Sequence, residues 1–247
     1  MRIGLFDSGI GGLTVLKELI KVHPNHHYIY FGDNLNMPYG NKTKEELRCL
    51  ANNIIEFLIE KQVDLIIIAC GTVSSNIDLD LKRNHNIPIY DIISPTIDYV
   101  NKNNYNDLGL IATNMTIKSQ IFKSKIKKIR EQACSSFVPL IENDKINTDE
   151  CKNEIKKYLL PLKEKNVRTL ILGCTHYPLL EKQLKSFFEN DVELLNMGTI
   201  LVNNLKLSNE TDYKLELYFS KINNQVINNV ENIIGDTKIN LKVIGRC

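Results

Sequence analysis

The sequence predicts an α/β protein of two pseudo-symmetric, doubly wound domains whose mainly parallel sheets face a shared cleft. Three observations predict this fold. Short apolar runs alternate with segments of helical periodicity, one run is apolar on both faces like a central parallel strand, and two stretches of the chain repeat at nearly the same offset. Strands separated by helices indicate parallel sheets. The length of 247 residues suits one large or two small domains.

The first strand and helix are predicted at the start of the chain. Residues 2–6 form a short apolar run that ends in the glycine-rich turn 7–12. Leucine and isoleucine then recur at helical spacing from Leu13 onward. A second strand is predicted at residues 27–31, and the loop 32–40 follows it.

The next elements have equally distinct signals. Thr43 and Glu46 form a capping box, which predicts a helix that continues to Leu58. Residues 64–69 are apolar on both faces, as expected of a buried parallel strand. Further strands are predicted at residues 88–92, 108–112, 136–140, 169–172 and 192–195.

Composition and charge exclude several classes of protein. The chain is 43% hydrophobic and 24% charged, which is ordinary for a globular protein. No apolar run approaches the roughly 18 residues of a membrane span, and the early acidic residue Asp7 argues against a signal peptide. The net charge of +2 is too small to favour nucleic acid or a membrane as partner. We therefore expect a soluble, cytoplasmic protein.

The basic stretch 118–130 is interpreted as a solvated helix face rather than as a nucleic-acid site. Its apolar side would be formed by Ile117, Ile121, Ile126 and Ile129.

The internal repeat is the most informative feature of the chain. Residues 3–8 resemble residues 108–113 at an offset of 105, and residues 65–72 resemble residues 169–176 at an offset of 104. Two similar halves would each present one cysteine at the carboxyl end of a strand, which is where open α/β sheets bind ligands. The cleft between the halves is therefore the candidate site.

These two cysteines are Cys70 and Cys174. The turn into a helix that follows each one is expected to lower its thiol pKa from about 8.5. Two thiols on opposite walls of a cleft suit the removal of a proton from one face of a carbon and its return to the other face. The six cysteines have irregular spacing, so neither a zinc site nor a disulfide framework is predicted, and the others are interpreted as small buried hydrophobes: Cys49, Cys134, Cys151 and Cys247.

Six motifs spread over nearly the whole chain carry a family resemblance. They are Phe6-Asp7-Ser8-Gly9-Ile10-Gly11-Gly12-Leu13-Thr14-Val15, Tyr30-Phe31-Gly32-Asp33, Pro38-Tyr39-Gly40, Ala69-Cys70-Gly71-Thr72, Pro139-Leu140-Ile141-Glu142 and Leu172-Gly173-Cys174-Thr175-His176-Tyr177-Pro178-Leu179-Leu180. With them the sequence resembles the glutamate racemases, members of the cofactor-independent aspartate/glutamate racemase superfamily. The last motif is the most specific, because aspartate racemase relatives usually carry an acidic residue where His176 stands.

The resemblance implies epimerisation at the α-carbon of glutamate, a small-molecule substrate, with no cofactor and no metal. It implies that Cys70 takes the proton from D-glutamate and Cys174 takes it from L-glutamate. Asp7 would support Cys70, and His176 with Glu142 would support Cys174. The substrate-binding positions that it implies are Asp7, Ser8, Tyr39, Gly40, Gly71, Thr72, Thr175 and His176.

The resemblance also implies an organisation and a cellular role. Residues 1–93 plus 207–247 would form the first domain and residues 94–206 the second, with a final strand near residues 239–244. The protein would be a cytoplasmic homodimer that supplies D-glutamate for peptidoglycan.

Other interpretations stay open at this point. Asp7 could cap the first helix, His176 could be a packed core histidine, and Tyr39-Gly40 could be only a turn. Glu142 lies in a polar stretch that would ordinarily be solvated. The protein could instead be a related racemase acting on aspartate, or a catalytically weakened regulatory homologue, and some glutamate racemases also inhibit DNA gyrase.

Three departures from the family pattern are visible. Gly71 replaces an asparagine, Asn34-Leu35-Asn36 replaces a stretch with Thr or Ser and Arg, and Asn196 replaces an acidic residue. We expect the loss of the asparagine amide to raise KM, with water or a neighbouring side chain such as Ser74 restoring part of the contact, and Gly71→Asn to lower KM. Alternatively, Gly71 could have a positive φ that asparagine tolerates only at a cost.

Overall fold

The computed structural model describes residues 1–77, 85–208, 210–235 and 241–243. Its strands are β1 (Arg2–Asp7), β2 (His27–Gly32), β3 (Leu65–Ile68), β4 (Ile89–Asp91), β5 (Leu108–Ala112), β6 (Arg130–Ala133), β7 (Thr169–Leu172), β8 (Glu193–Asn196), β9 (Lys214–Phe219) and β10 (Leu241–Val243).

The α-helices in the same ranges connect these strands. They are α1 (Gly12–Val22), α2 (Lys44–Glu60), α3 (Gly71–Asn76), α4 (Ile93–Asn103), α5 (Asn114–Lys118), α6 (Ile121–Lys125), α7 (Phe137–Glu142), α8 (Asp149–Glu164), α9 (Glu181–Phe187), α10 (Met197–Asn204) and α11 (Asn224–Ile234). Two short 3₁₀ helices lie at Tyr39–Asn41 and Tyr177–Leu180.

Both sheets are parallel and share one strand order. The first sheet runs β10-β9-β2-β1-β3-β4 and the second runs β6-β5-β7-β8, so β2-β1-β3-β4 matches the whole second sheet. The repeat predicted this correspondence, because its segments lie in β1 and β5, and in β3 and β7. The predicted fold class is confirmed.

Local signals explain several elements. β3 is buried along its whole length between two neighbours, as its apolar run predicts. The capping box is present at the start of α2, where Thr43 accepts the Glu46 N–H at 3.2 Å and the Glu46 carboxylate accepts the Thr43 N–H at 2.7 Å.

Two of the predicted elements are wrong. Residues 136–140 are not a strand, since Phe137–Glu142 is the helix α7. The basic stretch 118–130 is not one helix face: it contains the end of α5, then α6, and enters the edge strand β6. The apolar run around Phe137 is too short for periodicity to separate strand from helix, and the charged, half-exposed β6 hides its strand pattern.

The C-terminal part of the chain returns to the first sheet. β9 pairs with β2, and β10 pairs with β9. The sequence does not predict β9, whereas the final strand expected near residues 239–244 corresponds to β10, with the ends of that range outside the described residues.

Helices pack between the halves and join them. α1 contacts α10 and α11, and α10 also contacts α4. Their buried side chains belong to one hydrophobic cluster that includes residues of both sheets. This packing holds the carboxyl ends of β1 and β3 close to residues that follow β7. Among the described residues, no helix has the length and apolar character needed to cross a lipid bilayer.

Candidate active site

A cavity of about 90 Å³ lies between the two halves, and the residues after β1, β3, β5 and β7 contribute to its walls. Nine of the residues singled out from the sequence line it, namely Ser8, Tyr39, Gly40, Cys70, Gly71, Thr72, Cys174, Thr175 and His176. Asp7 and Glu142 are not among the lining residues of this cavity and instead contact residues that are.

Cys70 lies between β3 and α3 and is 4% exposed. Its thiol donates a hydrogen bond to the Ser8 hydroxyl, with the sulfur and oxygen 3.7 Å apart. Burial, reinforced by the nearby Asp7 carboxylate, raises the pKa of Cys70 to about 12. The lowered pKa expected from the sequence is therefore wrong for this thiol, because the Val73 N–H of α3 favours the thiolate less than burial opposes it.

Asp7 is completely buried at the end of β1. One carboxylate oxygen accepts the Gly9 N–H at 3.1 Å, and the other accepts the Thr175 hydroxyl of the opposite half at 3.0 Å. Burial raises the pKa of Asp7, while His176 and these two hydrogen bonds oppose the rise. Asp7 does not cap α1, whose N-cap position is Gly11 and carries no side-chain cap.

Cys174 belongs to a connected group of three side chains. Its sulfur lies 3.7 Å from Nδ1 of His176, and Nε2 of the same ring lies 2.6 Å from Oε1 of Glu142. Burial alone would lower the pKa of His176, but its hydrogen bonds and charge interactions with Cys174 and Glu142 raise it well above 6.5. This environment favours the protonated form of the His176 ring, which lies between Cys174 and Glu142.

Glu142 is not solvated, contrary to the interpretation of its polar surroundings. It is the last residue of α7, is 7% exposed and also accepts the Ile10 N–H at 3.3 Å from the first half. The glycine-rich turn permits this approach, because a Cβ on Gly9 would lie 2.7 Å from Oε1 of Glu142.

Tyr39 and Gly40 form more than a surface turn. Tyr39 is 2% exposed, and its hydroxyl donates to the buried Asp33 carboxylate at 2.5 Å. The same carboxylate accepts hydrogen bonds from Asn36, one of the departures from the family, and from Ser220 at 2.7 Å. These contacts anchor the loop that carries the cavity wall at Tyr39 and Gly40.

The structure adds lining residues that sequence reasoning missed. They are Met37, Pro38, Asn41, Thr113, Asn114, Ser135, Val138 and Pro139. Thr113 could have been found, since the offset of 105 pairs it with Ser8 in the repeat. Its hydroxyl lies 2.9 Å from that of Thr72 and so links the two halves. The last three follow β6 or belong to α7, where the wrong strand was predicted.

The described residues contain no group of three or more histidine, cysteine, aspartate or glutamate side chains placed to hold a metal ion. Asn196, the third departure from the family, accepts the Gly198 N–H at 2.8 Å and caps α10.

Comparisons with known proteins agree with this arrangement. Residues 13–205 match the sequence profile of the family described as Asp/Glu/Hydantoin racemase. A glutamate racemase from Hydrogenobaculum sp. is 39% identical over 253 aligned positions, covering 99% of this chain and 96% of the relative.

Solved structures give the same result. The glutamate racemase of Francisella tularensis, determined in complex with D-glutamate, superposes with a TM-score of 0.87 and 30% identity over 98% of this chain and 97% of the other. A glutamate racemase isoform of Bacillus anthracis gives a TM-score of 0.89 with 28% identity, covering 98% and 97% of the two chains. The chain therefore belongs to the glutamate racemases of the Asp/Glu/hydantoin racemase family.

Proposed function

We propose that the protein interconverts L- and D-glutamate by a two-base mechanism with Cys70 and Cys174 as the acid–base pair. The observation that carries the proposal is that both thiols line one cavity from matching positions in the two halves. Each thiol also has its own buried ionisable partner, Asp7 on one side and His176 on the other.

The proton transfers follow from this arrangement. The Cys70 thiolate takes the α-proton of D-glutamate, and the electron pair of the broken C–H bond is delocalised into the α-carboxylate. The Cys174 thiol then gives its proton to the opposite face of the carbon, which yields L-glutamate and leaves Cys174 as the thiolate. The reverse reaction exchanges the two roles, so no external acid or base is consumed.

The environment of Cys70 requires the substrate to help form the thiolate. Burial and Asp7 keep this thiol protonated in the free protein. The substrate's ammonium group places a positive charge inside the cavity, and a nearby opposite charge favours the thiolate. The proton that Cys70 loses passes to the Asp7 carboxylate, whose own pKa is raised by burial. A thiolate formed only with substrate in place is protected from water until the reaction begins.

The cavity walls suit a substrate with two carboxylates. Hydroxyl groups of Ser8, Thr72, Thr113 and Thr175 lie on the lining, and none of the described residues that line the cavity is a lysine or an arginine. Neutral donors fixed by buried hydrogen bonds can stabilise the charge that develops on the α-carboxylate without reorganising. We assign substrate binding to these hydroxyls together with the predicted positions Tyr39, Gly40 and Gly71.

The proposal includes the remaining expectations. The two sheets support a first domain of residues 1–93 plus 207–247 and a second of 94–206. Because both thiols must stay reduced, we place the enzyme in the cytoplasm, where it would supply D-glutamate for peptidoglycan. We also propose a homodimer, which light scattering of the purified protein would test.

Circular dichroism of glutamate solutions tests the activity directly. The purified protein should bring L- or D-glutamate to the racemic mixture without added cofactor and in the presence of a metal chelator. Aspartate should react much more slowly, because His176 stands where aspartate racemase relatives carry an acidic residue. A stable optical signal with folded protein at high concentration would refute the proposal.

A second measurement separates an enzyme from a regulatory homologue. In D₂O, an active enzyme replaces the α-hydrogen of glutamate by deuterium, which NMR detects as loss of the α-proton signal. A protein that only binds glutamate would leave that signal unchanged.

A further inference from the structure

Gly71 and Gly173 bring the two thiol-bearing loops into contact. Gly71 directly follows Cys70, and Gly173 directly precedes Cys174. A Cβ atom on Gly71 would lie 2.7 Å from the carbonyl oxygen of Gly173, a distance that real Cβ atoms essentially never show. The neighbour is a backbone atom, so no side-chain rotation can relieve the contact.

The backbone of Gly173 is held in place and cannot move away from Gly71. The Gly173 N–H donates to the Ile111 carbonyl at 2.8 Å, which fixes the end of β7 to β5. A Cβ on Gly173 would itself lie 2.6 Å from Leu110 and 2.9 Å from Ala112. The backbone behind Gly173 is therefore already packed, and a side chain on residue 71 would have to push the two halves apart.

Backbone conformation does not explain the glycine at position 71. Among the described glycines, only Gly235 has a positive φ. The alternative in which Gly71 adopts such a conformation is therefore wrong, and the close approach to Gly173 is the remaining physical reason for a residue without a side chain.

We propose that Gly71 is a positioning residue that sets the separation between the two thiols by letting their loops touch. The inference rests on the proposed function, because it concerns the geometry of the two-base reaction. Each glycine is bonded to one cysteine residue, so a change in the spacing of the glycines is passed to the thiols over a single peptide unit. Both proton transfers need thiol-to-carbon distances close to contact, and they lose efficiency when the walls separate.

This inference reverses the expectation for Gly71→Asn. An asparagine there must first overcome the contact with the Gly173 carbonyl before its amide can reach the substrate. Ser74 is not the substitute donor that the sequence suggested, because its hydroxyl donates to the Ile68 carbonyl at 3.2 Å. We therefore expect the asparagine variant to lose turnover rather than to gain affinity.

Steady-state kinetics of three variants test the inference. Gly71→Ala adds only the colliding atom and should lower kcat about 10- to 100-fold in both directions, with KM changing less than kcat. Gly71→Asn should be at least as impaired. Ser74 belongs to the same helix but is not among the residues that line the cavity, so Ser74→Ala is the matched control and should keep kcat within about twofold.

Two kinetic outcomes would overturn the inference. One is an unchanged kcat in Gly71→Ala. The other is a lower KM with kcat retained in Gly71→Asn, which would mean that the position lacks a substrate donor rather than space.

Crystal structures provide a readout that does not depend on activity. In Gly71→Ala, the distance from the Cα of residue 71 to the Gly173 carbonyl oxygen should exceed the wild-type distance by several tenths of an ångström. An unchanged distance in a folded variant would refute the positioning role. If the wild type failed to racemise glutamate, the proposed function would fall, while this structural comparison would still decide whether Gly71 spaces the loops.

Discussion

The two thiols occupy equivalent places in the fold but have different surroundings. Cys70 follows β3 and Cys174 follows β7, each the third strand along its matching set of four. Cys174 lies 3.7 Å from the His176 ring, whose protonated form is favoured, whereas Cys70 contacts the neutral Ser8 hydroxyl and feels the negative charge of Asp7. The duplicated scaffold fixes where the thiols lie, and the residues beside them make their electrostatic environments opposite.

This difference limits how the asymmetry can be observed. The two enantiomers of glutamate have equal free energies in water, so kcat/KM must be the same in both directions at every pH. An environment that favours one thiol as the base cannot make the enzyme faster in one direction by this measure. The asymmetry must instead appear in kcat and KM separately and in isotope effects.

The largest expected effect comes from removing either thiol. Cys70→Ser and Cys174→Ser should each reduce racemisation about 10²- to 10⁴-fold, because a serine hydroxyl is a far weaker acid than a thiol. Circular dichroism measures the rate. Cys49 is exposed, so the interpretation of this residue as a buried hydrophobe is wrong; Cys49→Ser is the control and should be unaffected. If either Cys70→Ser or Cys174→Ser kept most of its turnover, that cysteine would not be one of the two bases.

The next largest effect comes from removing the ionisable partner of each thiol, Asp7 beside Cys70 or His176 beside Cys174. Asp7→Asn and His176→Asn should each lower kcat/KM by about 10²-fold in both directions. With α-deuterated substrates, Asp7→Asn should enlarge the primary isotope effect on D-glutamate, whose deuteron goes to Cys70. His176→Asn should enlarge it on L-glutamate, whose deuteron goes to Cys174. Isotope effects that changed alike in both variants would show that each partner serves both thiols.

The pH dependence of thermal stability should reveal the different surroundings of the two thiols. The pKa of folded His176 lies well above 6.5, so its stabilising contribution is complete below pH 6.5 and is lost as the pH rises through that higher value. The pKa of Cys70, raised by burial to about 12, acts in the same sense at higher pH. Tm should therefore fall as the pH rises above 6.5, and less steeply in His176→Asn. Parallel Tm curves for the two proteins would contradict this assignment.

The smallest effect concerns the neutral partner of Cys70. Ser8→Ala removes an acceptor that lies 3.7 Å from the sulfur, a weak contact beside the charged pair around Cys174. We expect kcat to fall only a few-fold, since a neutral hydrogen bond contributes about 1 kcal/mol. If Ser8→Ala lowered kcat as much as His176→Asn does, Cys70 would depend on Ser8 as strongly as Cys174 depends on His176.

Much of the architecture could be predicted because its signals are local. The apolar run of β3, the capping box of α2 and the repeat each depend on residues close in the chain. The errors arose where local signals conflict with long-range packing. The sequence predicts a strand where α7 lies because its apolar run is too short for periodicity to distinguish a strand from a helix. The sequence does not predict β6, because this edge strand lacks the apolar residues typical of a buried strand.

The candidate site also contains residues that local sequence signals predict and residues whose surroundings depend on contacts remote in sequence. Strand ends and motifs pointed to Cys70 and Cys174, and the cavity contains both. The burial of Glu142 depends on contacts with Ile10 and His176, which are remote in sequence and invisible to any local pattern. The direction of the Cys70 pKa shift was predicted wrongly for a related reason. Burial and the charge of Asp7, which is remote from Cys70 in sequence, outweigh the hydrogen bond of the Val73 N–H.

The place of β9 in the first sheet has a consequence for synthesis on the ribosome. The hydrogen-bonding edge of β2 pairs with β9 and therefore stays open until residues 214–219 have been translated. The second sheet is contiguous from Leu108 to Asn196, so it can close while the first is still incomplete. Ser220, which binds Asp33 and the Leu35 N–H, leaves the exit tunnel later still. The loop that carries the cavity wall at Tyr39 therefore gains its Ser220 contacts only after β9 has been translated, whereas its hydrogen bonds between Asp33, Asn36 and Tyr39 are local in sequence.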